Sequence, residues 1–177
     1  MSQERVRAAA AALESAEGFV PRAEPNAFTA EGTPFEAHVR LEPTDAAVAY
    51  AVTVRVPTLD DVTADRVDPV VHEGWLDTFE LRLEDLDGAT RTDVEPPTVS
   101  LDADREEVVV DVAFELAAPD RGLADVRAVV QYVEGTYMEG VIPGYDYREP
   151  VAGMLQRAAE NSGVDSDLGV GPGGTPL

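Results

Sequence analysis

The spacing of apolar residues indicates a helix at the start of the chain. Five apolar residues recur three or four positions apart, on one helical face: Val6, Ala9, Ala10, Leu13 and Ala16. Ser2 is suited to cap this helix and Gly18 to end it. A short strand is predicted next at residues 27–30, and residues 31–34 have the composition of a turn.

Beyond residue 34 the apolar residues alternate with polar ones, which is the period of a strand with one buried face. One run is Phe35, Ala37, Val39 and Leu41, and a second is Val48, Tyr50, Val52, Val54 and Val56. The polar positions of the first run include His38 and Arg40. Pro43, Thr44 and Asp45 lie between the runs and favour a turn. The two runs therefore predict a hairpin with one buried face.

A second helix is predicted from Asp68, because a capping carboxylate there precedes a proline, Pro69, at the first helical position. One face of this helix carries the apolar residues Val71, Trp75, Phe79 and Leu83. We expect the helix to end near Asp85, and we expect Trp75, the only tryptophan, to lie in the core. Residues 90–94 then form a predicted strand.

The clearest strand in the sequence has five apolar residues in alternation: Val108, Val110, Val112, Phe114 and Leu116. A third helix is predicted from Asp120 to near Gly140, and a fourth begins at Glu149 and Pro150. From residue 163 onwards the sequence is rich in glycine. We interpret residues 163–177 as a disordered Gly/Pro-rich tail.

The predicted elements follow the order α-β-β-β-α-β-β-α-α. Short connections between neighbouring strands favour antiparallel pairing. The sequence therefore predicts an α+β fold, a twisted antiparallel sheet of about five strands with helices mostly on one face. The length of 177 residues suits one such domain, which we place at residues 1–162.

The net charge of the chain indicates the salt concentration in which we expect the protein to function. It has 13 basic residues, all of them arginine, and 35 acidic residues, which gives a net charge of −22. Salt at about 1 M shortens the Debye length to roughly 3 Å, so such a surface is tolerated in molar salt. We therefore expect a halophilic, cytoplasmic protein with hydrated K⁺ and Na⁺ at its surface. An acidic disordered chain is the alternative, but the 44% hydrophobic content and the alternating strands favour a folded domain.

The composition also excludes several kinds of chemistry. The chain has no cysteine and no lysine, so it lacks thiol catalysis, Schiff bases and the phosphate-binding lysine of Walker motifs. His38 and His72 lack the spacing of zinc motifs. Three carboxylates at alternate positions resemble the start of a calcium loop without its glycine, Asp102, Asp104 and Glu106, and we interpret them as a hairpin turn. We predict no catalytic residue, metal or cofactor.

Nucleic acid and membranes are not expected partners. Arg5 and Arg7 form the only basic patch visible in the sequence, which is too small to displace phosphate counterions. No apolar stretch approaches the ~20 residues that span a bilayer, and the acidic surface would be repelled by anionic lipid.

A tyrosine-rich stretch is the best candidate for a binding site. Four of the five tyrosines fall within residues 132–150. The candidate site residues are Tyr132, Tyr145, Asp146, Tyr147, Arg148 and Glu149. Tyrosine and arginine are enriched at binding hot spots, so these residues could form a docking surface, whereas packing of both rings against the sheet is the alternative.

Two functions follow from this candidate site. The first is a non-enzymatic adaptor or chaperone-like domain that uses its sheet face and residues 145–149 to hold another protein or a second copy of itself. The second is a small-molecule-binding protein or a carboxylate- or metal-dependent enzyme. That second function requires Asp146, Arg148 and Glu149 to converge in one pocket.

Two resemblances extend this interpretation. The order of elements resembles the small helix–sheet fold of the type III secretion chaperones and their YbjN-like relatives, in topology alone. Stretches such as "YAVTVRVPTLDDV", "VDPVVHEGWLDTFELRLED", "TRTDVEPPTV" and "YVEGTYMEGVIPGYDYREPVAG", with the closing "GGTPL", are similar to a haloarchaeal family of uncharacterised proteins. That resemblance covers nearly the whole chain and implies a halophilic source, but it implies no activity, because the family has no known function.

The acidic composition generates a first prediction. The melting temperature of the protein should rise between roughly 0.2 M and 2 M KCl, because salt screens the repulsion among surface carboxylates. Differential scanning calorimetry at a series of KCl concentrations measures this dependence. An unchanged melting temperature across the series would contradict the halophilic interpretation.

Overall fold

A six-stranded antiparallel sheet forms the centre of the molecule. The computed structural model describes residues 1–166. The strands are β1 (Phe19–Pro21), β2 (Ala27–Ala30), β3 (Glu36–Pro43), β4 (Val48–Pro57), β5 (Thr98–Asp102) and β6 (Glu107–Leu116), arranged in the order β1-β2-β3-β4-β6-β5. The helices are α1 (Ser2–Ser15), α2 (Leu59–Val62), α3 (Pro69–Leu83), α4 (Gly122–Glu139) and α5 (Val151–Ser166), with a 3-10 helix at Glu84–Ala89.

The alternating strands determine which face of the sheet is covered. The apolar residues predicted on β3, β4 and β6 are buried, except Leu116, which is partly buried. They share one face because they pair with one another across the strands, as Val39 does with Val52 and Val52 with Val112. Helices α1 and α4 pack on that face, and α3 packs against α4. Burying one such aliphatic side chain contributes roughly 1.5–3 kcal/mol. The α+β fold with helices on one face of an antiparallel sheet is confirmed.

The structure contains two short elements that the sequence pattern did not predict. Strand β1 has three residues and helix α2 has four, so neither is long enough to show a periodicity. The sheet therefore has six strands rather than about five, and the observed order is α-β-β-β-β-α-α-β-β-α-α with the 3-10 helix left out.

The strand predicted at residues 90–94 is wrong. Strand β5 begins at Thr98, after Pro96 and Pro97, which have no N–H to donate to a ladder. The hydrogen-bonding groups of the preceding segment are used elsewhere: the Asp125 carboxylate on α4 accepts from the Arg91 N–H at 3.0 Å and from the Thr92 hydroxyl at 2.5 Å.

The predicted helix ends agree with the structure to within a few residues. The Asp68 carboxylate accepts from the Val70 N–H at 2.9 Å, as a capping residue before a proline should. Helix α1 already includes Ser2, so Met1 and not Ser2 occupies its cap position. Helix α5 reaches Ser166, so residues 163–166 of the tail predicted at 163–177 are helical, and residues 167–177 lie outside the described residues.

An aromatic cluster joins the helices to the sheet. The Tyr137 ring on α4 meets the rings of Phe35, Trp75 and Phe79 edge to face, with ring centroids 4.8–6.0 Å apart. The Tyr137 hydroxyl donates to the Pro57 carbonyl at 3.2 Å, and burial raises the pKa of this phenol. Trp75 is only 5% exposed, which confirms its predicted place in the core. Within residues 1–166, no helix is both long and apolar enough to cross a bilayer.

Helix α4 approaches β4 closely at one glycine. The Tyr50 ring stacks on Phe114, with centroids 4.9 Å apart, and its outer edge lies under Gly122. A Cβ at Gly122 would stand 2.2 Å from the Tyr50 ring. Burial and the nearby carboxylates of Asp120 and Asp125 raise the pKa of Tyr50 to about 12. The ring is therefore a neutral packing surface for the start of α4 at ordinary pH.

This contact predicts opposite effects for one substitution at two sites on α4. Gly122→Ala should destabilise the protein by about 1–3 kcal/mol, because the new methyl group overlaps a ring that is itself fully buried. Gly135→Ala should stabilise it by roughly 0.5–1 kcal/mol, because the exposed Gly135 has open space around it and alanine favours the helix. Urea unfolding followed by Trp75 fluorescence measures both changes. Equal effects at the two positions would show that Tyr50 does not limit the approach of α4.

Candidate functional site

Residues 145–149, which the sequence singled out, form an extended segment held against the end of α2. The Ala64 N–H donates to the Asp146 carbonyl at 2.8 Å, and the Arg148 N–H donates to the Val62 carbonyl at 2.7 Å. Thr63 and Tyr147 lie opposite each other between these two bonds as an antiparallel bridge. The segment is thus fixed to the domain through its backbone.

The two tyrosines of this segment pack inward. The Tyr147 hydroxyl donates to the Ile142 carbonyl at 2.6 Å and accepts from the Ile142 N–H at 3.0 Å. Burial raises the pKa of the Tyr147 phenol. The Tyr145 ring contacts the Tyr147 ring edge to face, with centroids 6.4 Å apart, and both rings are half-buried. These contacts support the packing alternative for both rings.

The charged residues of the segment are all exposed. The Glu149 carboxylate accepts from the Gly153 N–H in the first turn of α5 at 3.1 Å. Within the described residues, no hydrogen bond or ion pair joins Asp146, Arg148 and Glu149 to one another. Residues 1–166 also contain no group of three histidine or carboxylate side chains that could hold a metal ion.

Tyr132 lies elsewhere, on α4 and against α3. Its hydroxyl donates to the Arg82 carbonyl at 3.0 Å, and burial raises the pKa of this phenol. Tyr132 lies beside residues of α3 and of the 3-10 helix. Residues 145–149 lie instead against α2. The structure therefore brings Tyr145 and Tyr147 together but links neither to Tyr132.

Among residues 1–166, no helix covers the second face of the sheet, here called the open face. It carries the side chains that alternate with the buried ones on the strands. Strand pairing arranges the central ones in four rows: Glu36, Arg55 and Val109; His38, Thr53 and Asp111; Arg40, Ala51 and Ala113; and Glu42, Ala49 and Glu115. The exposure of Ala51 and Ala113 shows that no helix packs over the middle of this face.

Alanine residues line the middle of the open face, so the side chains there are short. Ala27 on β2, Ala51 on β4 and Ala113 on β6 lie in one row with Arg40 as the only long side chain among them. Ala49 extends this floor to the next row, where a groove of about 500 Å³ runs between β3, β4 and β6. A second depression of about 240 Å³ adjoins it, and both include Arg40 and Ala51 in their walls.

Three arginines and a histidine surround the smaller depression. Its walls include Arg22, His38, Arg40 and Arg55, with Glu24 as the only carboxylate. Arg22 Nη1 lies 2.5 Å from His38 Nδ1. Because a guanidinium can only donate, Nδ1 must accept, and the proton resides on Nε2, which lies 2.7 Å from Glu36 Oε1. Both ring nitrogens of His38 are therefore engaged.

The remaining two arginines differ in their partners. Arg55 donates to Asp102 and Glu107, each at 3.2 Å, which holds its guanidinium at one end of the face. The guanidinium of Arg40 makes no hydrogen bond or ion pair to any residue within 1–166. The hydrogen bond from His38, together with the nearby charges of His38, Arg105 and Arg55, lowers the pKa of Glu36. Of the three arginines at the smaller depression, Arg40 is thus the one without a carboxylate partner among the described residues.

Acidic side chains surround the larger groove. Glu42, Asp93, Glu95 and Glu115 line it, and all four are exposed. Asp93 and Glu95 reach the groove because the buried carboxylate of Asp125, on the helical side, holds Arg91 and Thr92 just before them. The open face therefore combines Arg22, Arg40 and Arg55 around the smaller depression with carboxylates from β3, β6 and residues 93–95 around the larger groove.

Sequence reasoning missed the group of arginines on the open face. It recognised only Arg5 and Arg7 as a basic patch, because they are close in sequence. The arginines of the open face are far apart in sequence: 18 residues separate Arg22 from Arg40, and 15 separate Arg40 from Arg55. They come close together only through the registers of β2, β3 and β4. Alternation placed His38 and Arg40 on a polar face, but no sequence signal specified their neighbours.

Comparison with known proteins identifies a family and no activity. Residues 14–157, more than half of the chain, match the profile of a family described as "Family of unknown function (DUF5813)". No curated protein and no solved structure matches the chain. The family match agrees with the resemblance to an uncharacterised family, whereas the resemblance to type III secretion chaperones has no counterpart among these matches.

The contacts of residues 145–149 predict unequal roles for the two tyrosine hydroxyls. Tyr147→Phe should lower the free energy of unfolding by about 1–2 kcal/mol, because the N–H and carbonyl of Ile142 lose their partner. Tyr145→Phe is the matched control and should change it little, because its hydroxyl has no hydrogen bond within the described residues. Urea unfolding measures both values. A larger loss for Tyr145→Phe would contradict this assignment.

Proposed function

The chain belongs to the DUF5813 family, whose function is unknown, and we propose that it is a non-enzymatic protein-binding domain whose contact surface is the open face of its sheet. The observation that carries this proposal is the uncovered, alanine-floored middle of that face. Small side chains there let another protein layer approach the backbone closely. Packed sheets lie about 10 Å apart, and a row of long side chains would prevent that approach.

The dimensions of the open face suit a protein partner. Six strands about 4.8 Å apart make the sheet about 24 Å wide, and the eight- and ten-residue strands β3, β4 and β6 are roughly 27–34 Å long. A face of that size is comparable to the roughly 800 Å² that each partner contributes to a standard interface.

The charges of the face specify the chemistry of the partner. Arg40 is unpaired in the middle, and four exposed carboxylates line the adjoining groove. A complementary surface presents a carboxylate to Arg40 and guanidinium or ammonium groups to the four carboxylates of the groove. The partner is therefore a protein surface that carries more cationic than anionic groups where it meets the groove.

Residues 145–149 contribute less to this proposal than the sequence suggested. Their backbone and both tyrosine rings are engaged within the domain, which leaves only Asp146, Arg148 and Glu149 facing outward. An enzyme would require these three groups to converge, and no contact joins them within residues 1–166. The open face is the better supported binding surface.

Site-specific photo-crosslinking tests the proposal. A photoreactive amino acid is placed at Ala51 or Ala113 in the full-length protein, and after irradiation in living cells the crosslinked polypeptides are identified by mass spectrometry. We expect both positions to crosslink to one defined polypeptide, because both lie on the open face.

Leu81 is the matched control, because it is 64% exposed on α3, within the helical layer that covers the other face of the sheet. The same photoreactive residue at Leu81 should not yield that product. Absence of a defined product at Ala51 and Ala113, or an identical product at Leu81, would refute the open face as the binding surface.

A further inference from the structure

We infer that β5 pairs with β5 of a second copy of this chain, antiparallel and centred on Ser100, so that the two sheets join edge to edge. Strand β5 is one of the two edges of the sheet, and within residues 1–166 no strand pairs with its outer side. Such an edge presents backbone N–H and C=O groups to which another strand can bind. The contact uses the edge of the sheet and not its open face, so this inference goes beyond the proposed function.

The two edges of the sheet differ in how well they are protected. Proteins protect sheet edges with proline, with charged side chains or with very short strands. Strand β1 has three residues, and the last of them, Pro21, has no N–H to donate. Strand β5 has five residues, none of them proline, and only Asp102 is charged. The Asp102 carboxylate accepts from Arg55 at 3.2 Å and from the Arg105 N–H at 3.3 Å, so its charge is engaged within its own copy. Strand β5 is therefore the less protected edge.

An exposed apolar side chain lies at this edge. Leu101 pairs with Val108, and Val99 pairs with Val110, and both partners are fully buried on the helical side of β6. Val99 and Leu101 therefore extend the apolar face of the sheet onto β5. Leu101 is nevertheless 52% exposed, so the helices of residues 1–166 leave the outer end of this face uncovered. The apolar face reaches the sheet edge without a neighbour beyond it.

The side chains of β5 are symmetric in character about Ser100. In an antiparallel pairing centred there, Ser100 faces its own copy, Val99 faces Leu101, and Thr98 faces Asp102. The apolar pairs lie on the helical side, where Leu101 gains the contact that it lacks in one copy. On the other side, the Thr98 hydroxyl lies opposite a carboxylate that accepts hydrogen bonds. No two charged residues of β5 face each other in this register.

The ends of the strand fit the same register. Pro96 and Pro97 come before Thr98 and have no N–H to donate, and residues 103–106 form a turn after Asp102. Because Thr98 of one copy faces Asp102 of the other, the prolines of each copy lie where the other chain turns away from the edge. Five residues paired in this way form about four to six backbone hydrogen bonds.

The symmetry and the charge of the chain determine when this dimer forms. A two-fold axis perpendicular to the sheet relates the copies, so both helical layers lie on the same side and every contact occurs twice. Each chain carries a net charge of −22, so two copies repel each other in dilute salt. At about 1 M salt the Debye length is roughly 3 Å, which removes most of that repulsion. Backbone hydrogen bonds and apolar contacts remain, so we expect the dimer in molar KCl.

A single introduced cysteine tests the register directly. The chain contains no cysteine, so a Ser100→Cys protein can form a disulfide only between two copies. Residues directly opposite each other in antiparallel strands have Cα atoms roughly 4.5–5.5 Å apart, which a disulfide can span. We expect the full-length Ser100→Cys protein, treated with oxidised glutathione in about 2 M KCl, to form a covalent dimer on a non-reducing gel.

Thr98→Cys is the matched control, because Thr98 is exposed on the same strand and points to the same side of the sheet as Ser100. In the inferred register the two introduced cysteines lie four residues apart along the strands, roughly 13 Å, which a disulfide cannot span. We expect this variant to crosslink about tenfold more slowly, or less, than Ser100→Cys.

Charges at Ser100 provide a second measurement without a covalent bond. Because Ser100 faces its own copy, Ser100→Glu and Ser100→Arg each place like charges together at the two-fold axis. Light scattering on a size-exclusion column should give a dimer for the wild-type protein. Sedimentation equilibrium should show a dissociation constant raised about tenfold or more for either variant alone, and a heterodimer when the two are mixed. Leu81→Arg, at an exposed position of α3, should leave the dissociation constant unchanged. Ser100 is exposed, so circular dichroism should show the wild-type fold for both variants.

Several outcomes would overturn the inference. These are a monomeric wild-type protein, equal crosslinking of Ser100→Cys and Thr98→Cys, or two charged variants whose mixture forms no heterodimer. A dimer in which Ser100→Cys does not crosslink would place the contact on another surface and overturn it as well. None of these results affects the proposed function, which depends on the polypeptide crosslinked from Ala51 and Ala113 on the open face.

Discussion

A β-strand presents successive side chains to opposite faces, and among residues 1–166 this chain has helices for only one of them. That constraint determines most of the molecule. The residues of β3, β4 and β6 that face α1 and α4 are buried and apolar, and the alternate residues are polar or small. Every element of the helical layer, including the aromatic cluster around Tyr137, has its place because the apolar face requires a cover.

The fold was predictable where a pattern extends over many residues. Alternation in β3, β4 and β6 and the cap at Asp68 each depend on local chemistry, so the sequence was sufficient to predict them. The strand expected at residues 90–94 was not found there, because the partner of this segment is Asp125, more than thirty residues away, and no local pattern indicates that contact. The three-residue β1 and four-residue α2 are too short for any period to be visible.

The candidate site was harder to predict than the fold. Composition directed attention to residues 145–149, where tyrosine is concentrated, but the structure engages both rings and the backbone within the domain. The arginines of the open face come from three regions of the sequence, and only strand register brings them together. In a chain with 35 acidic residues, a high count of carboxylates carries little information. Arg40 is informative because of its place, in the middle row of a face that no helix of residues 1–166 covers.

The buried carboxylate of Asp125 connects the two sides of the sheet. It belongs to α4, which covers the apolar face, yet it holds the segment whose next residues, Asp93 and Glu95, line the groove on the open face. The two layers are therefore mechanically coupled around the edge of the sheet, through a single side chain. A protein that binds the open face and orders Asp93 and Glu95 would, by the same linkage, hold the first turns of α4 in place. Hydrogen exchange of the backbone amides in α4 therefore reports whether the groove is occupied, although α4 lies on the opposite side of the sheet.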